Sequence, residues 1–326
     1  MSEPVGIAVV GTGDWGANLV RNFAGLPGAR LVALCDSDPQ RLGRTAAQHP
    51  GARAAAHVDE IAAAPDVQGV VVSSSAVAHY PIARTLLAAG KDVYVEKPLA
   101  LEVAHAEELV RLAAERGSIL MVGHLLIHHP GVRYLKGMVD RGDLGELYYI
   151  YSQRVNLGKV RRDESALWSF APHDLSVILH LLGMEPIDVV ARGSAFLQGR
   201  VEDVVFVDLR FPGGKLAHLH VSWLDPHKLR KFTVVGSDKM AVFDDMELER
   251  KVPVYDKSPW KRAETYGEWQ TRSGDIYIPK ISTAEPLRLE CTRFLELVAG
   301  DGDRIKVAQD GARVVRALEM LTDSLG

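Results

Sequence analysis

The first 24 residues place the strongest constraint on what this chain can fold into. The apolar run Val5–Val10 is typical of a buried strand, and the glycine-rich turn Gly11–Gly16 follows it at once. Residues 17–24 then carry apolar side chains at helical spacing. A strand, a G-x-G-x-x-G turn and a helix predict a dinucleotide-binding unit, because the glycines allow the backbone to approach a pyrophosphate at a helix N-terminus.

An acidic residue stands where such a unit binds the ribose of its cofactor. The second predicted strand, residues 30–35, ends in Asp36, which lies 20 residues after Gly16. A carboxylate there accepts hydrogen bonds from ribose hydroxyls and disfavours a 2′-phosphate. NAD is therefore predicted, and NADP is the alternative that Arg41 keeps open. The cofactor-binding residues predicted from this pattern are Gly11, Thr12, Gly13, Asp14, Trp15, Gly16 and Asp36.

Strands and helices continue to alternate up to residue 122. Such alternation predicts a parallel, doubly wound sheet, so the first domain, residues 1–123, is expected to be an α/β Rossmann domain. The further strands are predicted at 67–72, 93–95 and 119–122, and the further helices at 40–49, 78–89 and 102–116.

Two of the predicted strands end in polar residues. In an open α/β sheet the carboxyl ends of the strands face the ligand crevice, so these residues are candidates for chemistry. Lys97, held near a cationic nicotinamide, could exchange a proton with a substrate hydroxyl near neutral pH. The alternative is a surface Glu-Lys pair before a helix-opening proline. The residues predicted beside the cofactor here are Ser73, Ser74, His79, Glu96, Lys97 and Pro98.

The pattern changes after residue 123. Runs of strands after a helical segment predict an α+β domain with a mainly antiparallel sheet, assigned to residues 124–326. Residues 253–280 show weak periodicity and are predicted to form a loop with one short strand. Helices are predicted at 132–141, 163–182, 286–299 and 307–325, and strands at 146–156, 189–196, 203–211, 216–223, 231–235 and 240–243.

A second group of candidates lies between residues 154 and 174. His173 is predicted to open an apolar helix and could act as a general acid or base, or be a capping or core histidine. Asp174 is interpreted as a first-turn acid that favours the helix dipole. Arg154 and the basic residues at 159–162 could bind a carboxylate or a diphosphate, or form a solvated loop.

Composition excludes several classes of protein. The 38 basic and 42 acidic residues give a net charge of −4, too balanced to favour nucleic acid or a membrane surface. Only Cys35 and Cys291 occur, and His124, His128 and His129 lack matching ligands, so no metal site is predicted. The chain shows neither a signal peptide nor a membrane span and is expected to be cytoplasmic.

These motifs together resemble the Gfo/Idh/MocA oxidoreductase family along the whole chain. The resemblance rests on Gly11–Gly16, residues 73–79, the run 88–100 that contains Glu-Lys-Pro, His173, and the pair Asp310-Gly311 in the last helix. It implies a catalytic Lys97, an active-site His173 and a cis Lys97-Pro98 bond. It also implies that the exposed face of the C-terminal open sheet joins subunits in a homodimer or homotetramer.

One residue departs from the family pattern. Ser169 stands four residues before His173, where members with a catalytic aspartate carry that aspartate. The departure resembles the branch of nucleotide-sugar 3-dehydrogenases and implies that Lys97 and His173 share the proton transfer. The substrate-binding residues implied by this resemblance are Lys97, His124, Arg154, Asn156, Lys159, Arg161, Trp168 and His173.

The resulting hypothesis is an NAD-dependent oxidoreductase that acts on a secondary alcohol or ketone of a sugar. A nucleotide-linked or acidic sugar is expected, with the 3-position favoured. Three alternatives stay open: an NAD-dependent glycosidase that uses transient oxidation, an inositol or free-sugar dehydrogenase, and a non-catalytic ligand sensor on the same fold.

Overall fold

The computed structural model describes residues 3–158, 160, 164–261 and 269–325. The chain divides into two compact units. The first contains residues 1–125 and 285–316, and the second contains residues 126–284 and 317–326. The expected domains, 1–123 and 124–326, differ from these units mainly in residues 285–316, which belong to the first unit.

The first unit is built on a six-stranded parallel sheet in the order β3-β2-β1-β4-β5-β6. Its central strands are apolar runs buried on both faces, as parallel strands covered by helices must be, whereas the short edge strand at Arg53–Ala55 is largely exposed. The predicted Rossmann fold is confirmed. The strands are β1 (Val5–Val10), β2 (Ala29–Cys35), β3 (Arg53–Ala55), β4 (Gly69–Val72), β5 (Asp92–Glu96) and β6 (Leu120–Gly123).

Helices cover both faces of this sheet. Strand β3 and helix α3 were not predicted, because each is too short for its apolar residues to show a strand or helix periodicity. The helices of this unit that precede residue 125 are α1 (Asp14–Ala24), α2 (Pro39–Gln48), α3 (Val58–Ala63), α4 (Ala76–Ala88) and α5 (Val103–Arg116).

The two last helices, α8 (Pro286–Val298) and α9 (Arg304–Leu325), explain why residues 285–316 return to the first unit. Phe294 of α8 packs edge-on against Phe23 and Tyr94, with ring centroids 6.2 and 5.9 Å apart. On the other face, Ala308, Ala312 and Val315 of α9 join the apolar cluster that includes Leu109. Burying both faces of the sheet therefore requires helices from both ends of the sequence.

The second unit is built on an eight-stranded sheet in the order β14-β13-β12-β11-β7-β10-β9-β8. All neighbouring pairs are antiparallel except β7 and β10, so the predicted mainly antiparallel sheet is confirmed. The helices are α6 (Pro130–Asp140) and α7 (Ala166–Leu182); the strands are β7 (Leu147–Val155), β8 (Asp188–Ser194), β9 (Val204–Arg210), β10 (Leu216–Ser222), β11 (Leu229–Gly236), β12 (Met240–Asp244), β13 (Val254–Lys261) and β14 (Trp269–Tyr277).

The expected loop with one short strand at 253–280 is wrong. Strands β13 and β14 pair in antiparallel register from Val254↔Tyr277 to Lys261↔Trp269. The side chains of β14 are nearly all exposed, so the alternation of apolar and polar residues that marks a half-buried strand is absent. Among the described residues, none of the helices is both long and apolar enough to cross a membrane.

A pair of helical glycines gives a test of how closely α9 packs on the sheet. A Cβ added to Gly311 would lie 2.3 Å from Val122 Cγ2, whereas a Cβ on Gly43 of α2 would meet nothing within 4 Å. Gly43→Ala should raise the free energy of unfolding by about 0.5–1 kcal/mol through helix propensity. Gly311→Ala should lower it by about 1–3 kcal/mol through overpacking, as measured by urea denaturation. Equal effects of the two substitutions would contradict this packing.

Candidate functional site

The glycine turn between β1 and α1 is shaped for close approach to a ligand. Gly11 has a φ of +92°, and a Cβ on it would lie 2.7 Å from the backbone of Ser73. A Cβ on Gly16 would lie 2.0 Å from the Gly11 carbonyl oxygen. Gly13, by contrast, faces open space apart from Arg41 at 3.9 Å. Gly11 and Gly16 thus close the turn, while Gly13 leaves the backbone accessible.

No side chain in the described part of the protein caps the N-terminus of α1. Gly13 occupies the N-cap position and cannot provide a side-chain cap, so the amide groups of Asp14 and Trp15 in the first turn remain available to an outside acceptor. Uncapped amides and the positive end of the helix dipole favour an anion such as a pyrophosphate. The chemistry of this turn therefore fits a dinucleotide.

Asp36 at the end of β2 is held in place by several donors. Its carboxylate accepts hydrogen bonds from Thr12 N at 2.7 Å, Thr12 Oγ1 at 3.0 Å and Asp38 N at 2.9 Å. Arg41 Nη1 lies 3.4 Å away. Burial alone raises the pKa of Asp36, but the amides, the hydroxyl and the guanidinium together hold it below its ordinary value. An ionised carboxylate so fixed is suited to accept hydrogen bonds from ribose hydroxyls.

Ser73 and His79 hold this end of the sheet together. Ser73 Oγ donates to the Gly11 carbonyl at 2.6 Å. The buried His79 ring has Nδ1 2.7 Å from the Pro98 carbonyl and Nε2 3.1 Å from the Ser74 carbonyl, and burial lowers its pKa. Both residues thus have structural roles beside the expected crevice, and their direct contact with the cofactor stays a prediction.

Glu96 closes β5 as a buried carboxylate surrounded by donors. Its Oε1 accepts from Trp15 Nε1 at 2.6 Å and from Tyr94 Oη at 3.1 Å, and its Oε2 accepts from Lys97 N at 3.3 Å. Burial raises the pKa of Glu96, and the three donors together with the nearby Lys97 charge oppose that rise. The next peptide bond, Lys97-Pro98, is cis, as the family resemblance implied.

His124 has no hydrogen-bond partner on either ring nitrogen within the described part of the chain. It follows Gly123, which pairs in register with Glu96, so His124 lies beside the end of the strand that carries Lys97. Burial and the charge of Lys97 lower its pKa to about 4. A buried, neutral imidazole without partners is suited to hydrogen-bond a ligand hydroxyl or carbonyl.

In the second unit, Arg154 of β7 and Asp174 of α7 form a buried ion pair. Arg154 Nε lies 2.9 Å from Asp174 Oδ2, and Nη2 lies 3.2 Å from Oδ1. Burial raises the pKa of Asp174, and Arg154 opposes the rise. Two of the Arg154 nitrogens are thereby engaged, so its first role is structural, and contact with substrate stays a prediction.

The expectation that His173 and Asp174 open a helix is wrong. Helix α7 begins at Ala166 and continues through Pro172, so both residues lie in its middle. Asp174 is instead the buried partner of Arg154, which the isolated sequence position did not reveal. An acid within an otherwise apolar helical segment was the signal for this pairing.

Of the remaining residues predicted to bind substrate, two lie among the residues that the structure describes and two do not. Trp168 Nε1 donates to Thr322 Oγ1 at 3.1 Å, and Asn156 lies just after β7, where its backbone N–H donates to the Ser222 carbonyl at 3.2 Å. Lys159 and Arg161 lie outside the described residues. Within the residues that are described, no group of three or more His, Cys, Asp or Glu side chains could hold a metal ion.

Two family models match this chain. Residues 5–124 match that of an oxidoreductase family with an NAD-binding Rossmann fold, and residues 132–242 match the Gfo/Idh/MocA C-terminal domain. The first region contains the glycine turn, Asp36 and Lys97, and the second contains Arg154 and His173.

Three proteins illustrate the similarity. A 2,7-anhydro-N-acetylneuraminate hydratase of Mediterraneibacter gnavus is 30% identical over 261 residues, 75% of this chain and 68% of that protein. A UDP-N-acetylglucosamine 3-dehydrogenase of Acidithiobacillus ferrooxidans is 28% identical over 237 residues, 72% of each chain. The crystal structure of GenD2 from gentamicin A biosynthesis, in complex with NAD, is 25% identical with a TM-score of 0.82, covering 100% of this chain and 95% of that one.

A Rossmann domain with an NAD-type glycine turn, joined in sequence to an open antiparallel sheet, defines a class of nicotinamide-dependent oxidoreductases. The chain belongs to the Gfo/Idh/MocA oxidoreductase family. Its cofactor is NAD, which the uncapped turn and Asp36 would hold.

The Arg154–Asp174 pair gives a test of the interior of the second unit. Arg154→Met should lower the free energy of unfolding by about 3–5 kcal/mol, because it leaves a buried carboxylate without its partner. Adding Asp174→Asn should recover part of the loss. The exposed pair Arg53–Asp66 serves as the control, since its side chains are 43% and 40% exposed, and Arg53→Met should cost less than about 1 kcal/mol. Equal losses in the two single variants would refute the buried pairing.

Proposed function

We propose that the protein is an NAD-dependent dehydrogenase or reductase that acts on a secondary alcohol or ketone of a sugar. The observation that carries this proposal is the end of the β5–β6 pair. There Lys97 adjoins the buried Glu96 carboxylate and the His124 imidazole, which has no hydrogen-bond partner among the described residues. The oxidation of an alcohol requires a base that takes the hydroxyl proton and a group that hydrogen-bonds the oxygen, and Lys97 and His124 can supply them.

In the oxidation direction, Lys97 accepts the hydroxyl proton as the carbinol hydride leaves. The bound nicotinamide supplies the hydride acceptor for oxidation and the hydride donor for reduction. His124, whose pKa of about 4 keeps it neutral, holds the substrate oxygen by a hydrogen bond. The family resemblance assigns His173 a share in moving the proton, and the reverse steps reduce the ketone.

The substrate is a nucleotide-linked or acidic sugar that reacts at its 3-position. Ser169, in place of an aspartate, supports this because Lys97 and His173 are then the groups left to move the proton. The similarity to a UDP-N-acetylglucosamine 3-dehydrogenase supports it further. Arg154 contributes less to anion binding than its charge suggests, since Asp174 already engages two of its nitrogens.

A second candidate is a net non-redox reaction that passes through transient oxidation, as in an NAD-dependent glycosidase. The similarity to a 2,7-anhydro-N-acetylneuraminate hydratase favours it. The same residues would serve, because oxidation and reduction occur in one turnover. Product formation without accumulation of NADH distinguishes this candidate from a dehydrogenase.

The exposed face of the open sheet is the surface through which two copies of the chain pair. Tyr149 and Tyr151 of β7 are 42% and 38% exposed and their rings stack at 6.3 Å. Phe206 of β9 stacks on His220 of β10 at 4.5 Å on the same face. Exposed aromatic rings on a regular sheet are typical of a surface that is covered in an assembly.

A screen of NAD reduction against nucleotide sugars, free sugars and inositols, with the matching ketones tested for NADH oxidation, tests the proposal. Activity on a nucleotide or acidic sugar is expected. Activity on none of these compounds in either direction would overturn the sugar assignment, and saturable sugar binding without turnover would support a sensor instead.

Lys97→Met tests the role of the lysine. It should lower kcat by about 10²- to 10⁴-fold, the usual contribution of a general base, while the dissociation constant for NAD stays unchanged. Lys306→Met, at an exposed position on α9, is the matched control and should change neither quantity. Retention of most of the turnover in Lys97→Met would remove the lysine from the mechanism.

Tyr151→Asp tests the pairing surface. A charge placed among the exposed aromatic rings should convert the wild-type oligomer into monomers in sedimentation velocity. Tyr148→Asp is the control. Tyr148 is similarly exposed on β7, but successive side chains of a strand point to opposite faces of the sheet, so Tyr148 lies on the face opposite to Tyr149 and Tyr151. A monomeric wild type, or dissociation by both substitutions alike, would contradict the proposed surface.

A further inference from the structure

A carboxyl group lies buried in the first unit without an evident partner. Glu290 of α8 is 0% exposed, and within the described residues neither of its carboxyl oxygens accepts a hydrogen bond. An ionised carboxylate in such a place would lose its hydration with no compensation. Burial raises the pKa of Glu290 well above its ordinary value, and the charge of Glu96 raises it further. Burial without a hydrogen-bond partner among the described residues therefore favours the protonated, neutral form of Glu290.

The groups that face Glu290 connect it to the strand that ends at Lys97. From β5 these are Tyr94 and Glu96, and its own helix adds Cys291. Gly123 makes room for the arrangement, since a Cβ on it would lie 2.7 Å from Tyr94 Oη and 3.0 Å from Glu96 Oε1. Glu96 and Glu290 are both buried beside Tyr94, and the repulsion between two buried carboxylates makes the doubly ionised state unfavourable. One of the two acids is therefore expected to hold a proton.

The hydrogen bonds decide which acid holds that proton. Glu96 accepts from Trp15, Tyr94 and the Lys97 amide, which favours its ionised form. Tyr94 directs its own proton towards Glu96, so its oxygen can serve as an acceptor. The neutral Glu290 has one proton to donate, and the Tyr94 oxygen is the acceptor that the packing presents to it.

We propose that Glu290 is a positioning residue: its protonated carboxyl donates to Tyr94 Oη, and Tyr94 in turn holds Glu96 as a carboxylate beside Lys97. The protonation of Glu290 follows from the interior of the first unit alone. Its effect on Lys97 rests on the proposed function. The two parts therefore need separate measurements.

The thermal midpoint of the NAD-free protein, measured from pH 5 to pH 9, tests the protonation. A group whose pKa is raised on folding stabilises fully below its unfolded pKa, and the stability is lost as the pH rises towards the folded pKa. Glu290→Gln removes this group, so its midpoint should exceed that of the wild type by an amount that grows by about 5 °C across the range. Leu297→Ala, a packing change at another buried residue of the same helix, should lower the midpoint equally at every pH.

The pH profile of kcat/KM tests the positioning. Glu290→Leu keeps the volume but removes the donor, so Tyr94 no longer holds Glu96 and Glu96 protonates more readily. The acid limb of the profile should move up by about one pH unit, with about a tenfold loss of kcat/KM at pH values on the limb and little loss on the plateau. Glu290→Gln restores an amide donor and should recover most of that loss.

Each result has a defined meaning. A midpoint difference between Glu290→Gln and the wild type that stays constant with pH would overturn the neutral Glu290, whether or not any substrate is found. A Glu290→Leu profile with an unshifted acid limb, or a Glu290→Gln variant as impaired as Glu290→Leu, would overturn the positioning role. Failure of the proposed function would instead appear as absent turnover in the wild type, with the midpoint result intact.

Discussion

Burial of the parallel sheet on both faces is the constraint on which the site depends. Strand interiors such as Val70–Val72 and Val93–Val95 are fully buried, so polar groups can be accommodated only where the strands end. The carboxyl ends of β1, β2, β4, β5 and β6 meet at one edge and bring Gly11, Asp36, Ser73, Glu96 and His124 to it. The chemistry is thus a consequence of topology, because any polar residue placed at these ends arrives at the same edge.

Much of this could be predicted from sequence because the decisive signals are local. A glycine turn between a strand and a helix, or a Glu-Lys-Pro after an apolar run, can be recognised within ten residues. The α/β alternation and the later runs of strands can also be predicted from the spacing of apolar residues alone. The hairpin formed by β13 and β14 could not be recognised, since its exposed side chains show no alternation.

Contacts between residues that are distant in sequence could not be predicted, because the signals in the sequence are local. Asp174 lies in the apolar helix α7, and Glu290 lies on the buried face of the more polar helix α8. Nothing local in the sequence identifies Arg154 as the partner of Asp174 or Tyr94 as the partner of Glu290. The two acids reach opposite solutions in the interior. Asp174 keeps its charge by pairing with a guanidinium, and Glu290, with no cation at hand in the described part of its surroundings, keeps a proton.

The return of α8 and α9 to the first unit has a consequence for how the chain is made. A ribosome that has released residues 1–125 has delivered all six parallel strands, yet the helix that covers Phe23 and Tyr94 is still about 160 residues from synthesis. Part of each apolar face of the nascent sheet must wait uncovered while residues 126–284 of the second unit emerge. The dinucleotide-binding unit, although first in the sequence, is therefore completed only after residues 126–284 of the second unit have been made.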